Sequence, residues 1–260
     1  MMNEIKLYHG DCLIEMNKIA DKSVDMILCD LPYGTTQNKW DDVIPFDEMW
    51  KQYNRVIKDN SAIVLFGSQP FTSKLVCSNI DNFKYEWIYK KKVGSNFGNV
   101  KFQPMKEHEN VLIFGKGTVK YYPIKEKRKG NGGDRIKYSF QNKAKSDNYG
   151  FNYNEDDRRN LEELRNPSSV QEFNNRGQEF GLHPTQKPTA LLEYLIKTYT
   201  NEDEWVLDNC MGSGSTGVAC VNTKRNFIGI EINKDYFDLS VTRIKDAINE
   251  NICTNGVSRV

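Results

Sequence analysis

Short apolar runs alternate with helical patterns along most of the chain. Residues 24–29 and 61–66 are mostly apolar, and the first run leads into Asp30 and a Pro- and Gly-containing turn, as buried strands commonly do. Between them, residues 46–58 place apolar side chains at the three- and four-residue spacing of one helix face. Strands that alternate with helices predict a parallel sheet covered on both faces.

The same patterns predict the other elements, which are a helix at 70–78, strands at 85–89 and 111–114, a helix at 188–199, a strand at 205–207, a helix at 215–222, a strand at 227–230 and a helix at 234–249. Regular patterning stops after residue 115 and resumes near residue 181. We therefore expect one α/β core with a doubly wound, mostly parallel sheet, made of residues 1–115 and 181–260. Residues 116–180 are predicted to be a separate inserted region.

Charge is balanced overall but segregated locally. The 36 Lys and Arg residues against 35 Asp and Glu residues leave a net charge of +1, so the whole chain is not a polybasic nucleic-acid tail. Residues 116–145 carry ten basic and two acidic residues, a local excess of +8, interleaved with aromatic side chains. Such a run is usually a solvated surface, but it is also the place where phosphate contacts are expected.

Other features of the composition exclude several classes of protein. The start of the chain is polar within four residues and has no apolar signal-peptide core, so we expect no secretory signal. The longest apolar stretch, 62–66, is far shorter than the roughly 20 residues that cross a bilayer. Six cysteines without a CxxC pair predict reduced thiols rather than a disulfide framework or a zinc ribbon. We expect a cytoplasmic protein with no metal site.

Residues 205–217 (WVLDNCMGSGSTG) predict a strand, a Gly-rich turn and the start of a helix. Gly212 and Gly214 permit a positive φ or the close approach of a ligand, and the helix N-terminus supplies N–H groups. Glu231 ends the following strand, 23 residues after Asp208, where an acid can accept hydrogen bonds from ribose hydroxyls. This arrangement predicts a nucleoside-containing cofactor.

An NAD-dependent oxidoreductase is an alternative, because residues 212–217 also satisfy the GxGxxG fingerprint. The fingerprint lies in the last quarter of the chain, which leaves too little sequence for a second mononucleotide-binding half. In addition, no other segment is typical of a hydride-transfer site.

Residues 30–34 (DLPYG) place a carboxylate, a constrained backbone and an aromatic ring at the end of a buried strand. Pro32 disfavours the helical conformation at Leu31, so the Leu31 carbonyl can point to the same position as the Asp30 side chain. Two acceptors at one position suit an exocyclic amino group, and Tyr33 can stack on the ring that carries it.

Three segments together resemble the signatures of S-adenosylmethionine-dependent DNA amino-methyltransferases, namely DLPY at 30–33, HPTQKP at 183–188 and DNCMGSGSTG at 208–217. Their order is that of the β class, whose Rossmann-like methyltransferase fold is circularly permuted. Leu31 and Asn209 depart from the family, in which Pro is commoner at both positions. Asp30 rather than Ser favours adenine N6 as the target, and cytosine N4 is the alternative.

The resemblance implies the roles of particular residues. The catalytic set is Asp30, Leu31, Pro32 and Tyr33. The set for the cofactor, S-adenosylmethionine, is Asp11, Asp30, Thr185, Lys187, Asp208, Cys210, Gly212, Gly214 and Glu231, with Lys187 expected on the methionine carboxylate.

The resemblance also implies the partners. Residues 116–180 become a target-recognition region for double-stranded DNA, with Lys120, Lys125, Lys127, Arg128, Lys129, Arg135 and Lys137 as contacts. A mobile loop near the flipped base is predicted at 95–98. Related enzymes include homodimers, which makes a homodimer a further expectation. A DNA-binding module without catalysis is the remaining alternative, and it would be indifferent to changes at Asp30.

Overall fold

The computed structural model describes residues 3–34, 42–127, 164–176 and 186–256. The strands within these ranges are β1 Ile5–His9, β2 Val24–Cys29, β3 Ile57–Gly67, β4 Phe83–Ser95, β5 Lys106–Phe114, β6 Glu126–Lys127, β7 Leu164–Arg165, β8 Val170–Phe173, β9 Trp205–Asp208 and β10 Asn226–Glu231. The helices are α1 Cys12–Glu15, α2 Phe46–Val56, α3 Phe71–Cys77, α4 Thr189–Tyr199, α5 Ser215–Thr223 and α6 Lys234–Gly256, with short 3-10 turns at Met16–Lys18, Ile80–Asn82 and Phe97–Asn99.

Eight strands form one sheet in the order β1-β10-β9-β2-β3-β5-β4-β8. The pairs β3–β5 and β4–β5 are antiparallel, and the other neighbours in the sheet run parallel. All six residues of β2 are buried, as a central strand with covered faces requires. The predicted α/β fold with a mostly parallel sheet is confirmed.

Two apolar clusters cover the two faces of this sheet. One face packs against α4, α5 and α6, through side chains such as Leu195, Val218 and Ile244. The other face packs against α2 and α3, for example through Tyr53 and Leu75. Helices therefore lie on both sides, as a doubly wound sheet requires.

The order of the strands reverses between β2 and β9, which are neighbours in the centre of the sheet. From this point β2, α2 and β3 proceed in one direction, and β9, α5 and β10 proceed in the other. Open α/β sheets bind ligands at such a reversal, outside the carboxyl ends of the strands. Because β5 is antiparallel to β3, it begins at this same edge, and β4 ends there.

Several elements are longer than the apolar pattern predicts. The strand β4 covers 83–95 rather than 85–89, and β5 starts at residue 106 rather than 111. Their polar ends remain in the sheet because β4 and β5 pair with each other there, and β4 also pairs with β8. The edge strand β1 was not predicted, since its residues are only partly buried.

The chain divides into two compact units, Met1–Tyr122 with Ser169–Val260, and Pro123–Ser168. The first unit contains the eight-stranded sheet, including β8, which falls within the region predicted as an insertion. In the second unit β6 and β7 pair antiparallel, and Arg165 is 3.1 Å from Glu126 across the pair. The assignment of 116–180 to target recognition stays a prediction.

Within the described parts of the chain, none of the helices has the length and apolar character needed to cross a membrane. All six cysteines lie in the described ranges, and all are free thiols.

The backbone of the Gly-rich turn before α5 packs closely against α6. Gly214 has a φ of 80°, and a Cβ atom there would lie 2.7 Å from the Cβ of Ser240 on α6. We expect Gly214→Ala to lower the free energy of unfolding by about 1–3 kcal/mol, because the methyl group overpacks a closed contact in a strained conformation. Urea unfolding of the full chain measures this.

Gly98 provides the matched control. A Cβ atom at Gly98 meets no atom within 4 Å, and its φ lies outside the positive region. Gly98→Ala should change the free energy of unfolding by less than about 0.5 kcal/mol. Equal effects of the two substitutions would contradict the close packing of the turn.

Candidate active site

A cavity of about 1190 Å³ lies at the carboxyl edge of the sheet. The residues predicted for the site that line it are Asp11, Asp30, Leu31, Pro32, Tyr33, Lys187, Asp208, Cys210, Gly212 and Glu231. Gly214 lies instead at the N-cap of α5, against α6. Thr185 lies outside the described residues. The two predicted motifs at 30–33 and 208–217 therefore meet in one cavity.

Two side chains hold the carboxylate of Asp30. The Tyr33 hydroxyl donates to Oδ1 at 2.7 Å, and the Lys187 ammonium donates to Oδ2. Lys187 lies just before α4, which packs on the face of the sheet that carries Met26 and Leu28 of β2. The ring of Tyr33 stacks on Phe71, with 4.9 Å between the ring centroids.

The ion pair continues through residues that the sequence analysis missed. Lys187 Nζ also lies 3.2 Å from Glu109 Oε2, and Lys91 Nζ lies 2.5 Å from Glu109 Oε1. Lys91 of β4, Glu109 of β5, Lys187 before α4 and Asp30 after β2 therefore form a row of alternating positive and negative charges. Glu109 and Lys187 are largely withdrawn from solvent, so charge screening by water is weak there.

Burial and these pairs set the protonation of the site. Burial raises the pKa of Asp30, the Lys187 ammonium opposes that rise, and the Glu109 carboxylate adds to it. Burial also disfavours the charged form of Glu109, but Lys187 and Lys91 outweigh it and hold its pKa at about 2. Burial disfavours the Lys187 ammonium, yet Asp30 and Glu109 keep its pKa above the ordinary value. Lys187 and Glu109 are therefore charged at neutral pH.

Asp208, at the end of β9, accepts hydrogen bonds from both ends of the Gly-rich turn. Its Oδ1 accepts from the Cys210 N–H at 3.1 Å, and its Oδ2 accepts from the Thr216 hydroxyl at 2.6 Å. Burial raises the pKa of Asp208 to about 6, although both hydrogen bonds act in the opposite direction. This carboxylate joins the start of the turn to the first residues of α5.

Glu231, at the end of β10, holds the same turn from the other side. Its Oε2 accepts from the Gly212 N–H at 2.9 Å, and its Oε1 accepts from the Asn233 N–H at 2.8 Å. Burial raises the pKa of Glu231, while these backbone donors lower it. Each carboxylate oxygen has two lone pairs, so Glu231 retains capacity for hydroxyl donors of a ligand.

Two further positions of the sequence analysis have clear structural partners. Asp11 caps α1, where its side chain accepts from the Leu13 N–H at 2.8 Å. Asn209, which stands where Pro is commoner, accepts from the Tyr53 hydroxyl at 2.6 Å. The amide of Asn209 therefore ties the Gly-rich turn to α2, which a proline could not do.

The predicted DNA contacts are only partly described. Lys120 lies 3.0 Å from Glu204, and Lys125 and Lys127 are exposed. Arg128, Lys129, Arg135 and Lys137 lie outside the described residues. Their contacts with DNA stay a prediction. Among the residues that the structure does describe, no three His, Cys, Asp or Glu side chains are placed to hold a metal ion.

The fold and the cavity define a doubly wound α/β protein with a candidate ligand site at the reversal of strand order. A family model described as DNA methylase matches residues 24–242 of this chain. The chain therefore belongs to the DNA methylase family, as the three motifs predicted. This assignment replaces the oxidoreductase alternative.

Similar proteins span most of the chain. Type II methyltransferase M.HpaI of Haemophilus parainfluenzae is 27% identical over 94% of this chain and 75% of its own length. DNA adenine methyltransferase YhdJ of Escherichia coli is 28% identical over 93% of this chain and 83% of its own length.

Two solved structures have the same fold. The complex of M1.HpyAVI with SAM has a TM-score of 0.58 at 24% identity and covers 92% of this chain and 98% of its own. The cytosine-N4-specific PvuII DNA methyltransferase has a TM-score of 0.64 at 16% identity and covers 96% of this chain and 93% of its own.

The ion pairs predict opposite effects of two substitutions on the pKa of Asp30. Lys187→Met removes the cation that favours the carboxylate, so the pKa of Asp30 should rise above its value in the native chain. Glu109→Gln removes a neighbouring anion, so the pKa should fall while Lys187 stays in place. Carbon NMR titration of chain labelled in its aspartate carboxyl groups measures both, with Asp30→Asn to assign the signal.

Lys197→Met serves as the control, since Lys197 lies on the exposed part of α4 and pairs with Glu193. It should leave the titration of Asp30 unchanged. A pKa of Asp30 that moves in the same direction in the Lys187 and Glu109 variants would contradict the arrangement of charges described above.

Proposed function

We propose that this chain is a site-specific DNA methyltransferase that transfers a methyl group from S-adenosylmethionine to adenine N6 of a base flipped out of duplex DNA. One observation carries the proposal: the strand end at Asp30 and the Gly-rich turn held by Glu231 share a single cavity. A base inside a duplex cannot reach such a cavity, so the target must leave the stack at a cost of a few kcal/mol.

The chemistry assigned to Asp30 follows from the amino group it would accept. The lone pair of an adenine amino group is delocalised into the ring, so the nitrogen is a poor nucleophile. Hydrogen bonds from N6 to the Asp30 carboxylate and the Leu31 carbonyl favour a pyramidal nitrogen and stabilise its developing positive charge. Lys187 favours the ionised form of Asp30, which accepts these bonds rather than donating one.

The donor set at the turn fits the cofactor. When bound, S-adenosylmethionine supplies a methyl group activated by its sulfonium centre. The buried Glu231 carboxylate suits ribose hydroxyls, and the Gly212 backbone, with a φ of 50°, allows close approach. Positioning of the reacting groups in line supplies much of the acceleration, up to roughly 7–11 kcal/mol. Contacts of Asp11, Thr185 and Lys187 with the cofactor stay predictions.

The choice of adenine rests on Asp30 and on relatives. YhdJ, at 28% identity, is an adenine methyltransferase by name. The structural neighbour PvuII methyltransferase is cytosine-N4-specific, but its 16% identity supports only the fold. Cytosine N4 therefore remains the second candidate.

The type II methyltransferases among the relatives suggest a place beside a restriction enzyme. We also infer a cytoplasmic location, where DNA and S-adenosylmethionine are both available. The expectation of a homodimer rests on the family resemblance, and the particle mass in light scattering would measure it.

Asp30 belongs to both the catalytic set and the cofactor set of the predicted residues, and its substitution tests which of the two roles it has. We expect Asp30→Ala to lower the rate of methyl transfer by about 10²–10³-fold or more, because the charge acceptor at the reacting nitrogen is lost. Binding of S-adenosylmethionine, measured by calorimetry, should change by less than about threefold. Asp59→Ala is the matched control, since Asp59 is 75% exposed and pairs with Lys22 at the surface. A normal transfer rate in Asp30→Ala would exclude the catalytic assignment.

The identity of the product distinguishes the two candidate targets. Incubation of the native chain with duplex DNA and methyl-labelled S-adenosylmethionine should place the label in N6-methyladenine after digestion to nucleosides. Sequencing of modified bases in DNA from cells that express the chain then gives the recognition sequence. Label in N4-methylcytosine would instead support the second candidate, and no label on DNA of varied sequence would refute both.

A further inference from the structure

The hairpin loop between β4 and β5, residues 96–105, lies at the rim of the catalytic cavity. Ser95 and Lys106 pair across the base of the hairpin, where the two strands meet. Ser95, Asn96, Phe97 and Lys106 also line the cavity itself. A polynucleotide that delivers a base into the cavity along this side of the rim passes close to this loop.

The backbone of the loop is hydrogen-bonded to itself. Asn96 has a φ of 73°, and its carbonyl accepts from the Asn99 N–H at 3.1 Å. The Asn99 carbonyl in turn accepts from the N–H groups of Phe102 and Gln103 at 2.9 and 3.1 Å. These bonds define the direction in which the loop presents its side chains, before any ligand is bound.

The tip of the loop exposes apolar side chains to solvent. Phe102 is 88% exposed, more than any other large apolar side chain in the described part of the chain, and Phe97 and Val100 are 54% and 50% exposed. Exposure of three neighbouring apolar side chains has a solvation cost, and such patches usually mark a binding surface. A hydrogen-bonded loop whose tip exposes apolar side chains therefore indicates a partner with an apolar interior.

The charge around the tip indicates which partner. Lys92 and Lys101 of this hairpin are exposed, whereas Lys90 and Lys91 pair with Glu172 and Glu109. Lysines suit phosphates, and an aromatic side chain suits the faces of stacked bases. Duplex DNA presents both within a few ångströms, whereas a protein partner for this surface would need an acidic rim around an apolar pocket.

We propose that Phe102 is a wedge that enters the base stack of the duplex where the flipped adenine has left it, with Lys101 at the adjacent phosphate. The inference rests on the proposed function, because it requires a flipped base. Apolar side chains that enter a base step replace part of the lost stacking. Phe102 then stabilises the open duplex, while Asp30 and Tyr33 receive the extruded base.

The test compares duplexes in which flipping is costly or easy. One duplex carries the mapped recognition sequence fully paired, and the other has an abasic site opposite the target adenine, where less pairing must be broken. On the paired duplex, Phe102→Ala should lower kcat/KM by about 10- to 100-fold. On the abasic duplex it should remain within about threefold of the native chain.

Two further variants and a spectroscopic readout sharpen the result. Phe102→Leu keeps an apolar wedge and should retain kcat/KM on the paired duplex within about threefold. Ile80→Ala removes a 60% exposed apolar side chain that does not line the cavity, and it should match the native chain on both duplexes. With 2-aminopurine at the target position, the rise in fluorescence on binding should be smaller for Phe102→Ala.

The outcomes separate this inference from the proposed function. No methylation by the native chain on either duplex would refute the proposed function itself. An active native chain with an equally active Phe102→Ala variant would refute the wedge, as would equal losses on the paired and abasic duplexes. A native dimer that Phe102→Ala converts to a monomer, with unchanged kinetics, would assign the loop to a second copy of the chain instead.

Discussion

The ion pair between Asp30 and Lys187 joins parts of the chain that are 157 residues apart in sequence. A carboxylate and an ammonium taken out of water are stable only if each compensates the other, so the end of β2 and the start of α4 must meet. Glu109 and Lys91 extend the compensation to β5 and β4. The position of the end of β2 therefore depends on charge pairing as well as on packing of the sheet.

The order of the strands explains why distant motifs share a cavity. β9 lies between β10 and β2, so the later half of the chain inserts beside the earlier half in a continuous sheet. The parallel strands β2, β9 and β10 end at one edge, and each carries an acid near its end: Asp30, Asp208 and Glu231. The positions of the strands in the sheet, rather than their order along the chain, therefore bring these acids together.

The parts predicted from sequence are those whose signal is local. β2, β9 and β10 are buried on both faces and read as apolar runs, and a polar residue at the end of such a run indicates a ligand site. Glu109 and Lys91 gave no such signal, because they lie at the polar ends of β5 and β4. Those ends reach the cavity only because β5 is antiparallel to β3, and the strand direction is a tertiary property that the local pattern does not contain.

The acids of the cavity differ in their hydrogen-bond and ion-pair partners. Asp208 and Glu231 accept from backbone N–H groups and a hydroxyl, neutral donors that fix the Gly-rich turn without changing its charge. Asp30 also accepts from a neutral donor, the Tyr33 hydroxyl, but its other oxygen pairs with the cation of Lys187, whose charge Glu109 maintains. A rigid turn suits a cofactor that must be held in one orientation. In the proposed reaction, a carboxylate paired with a cation suits an amino group on which positive charge develops. The two kinds of acid lie on opposite sides of the reversal in strand order.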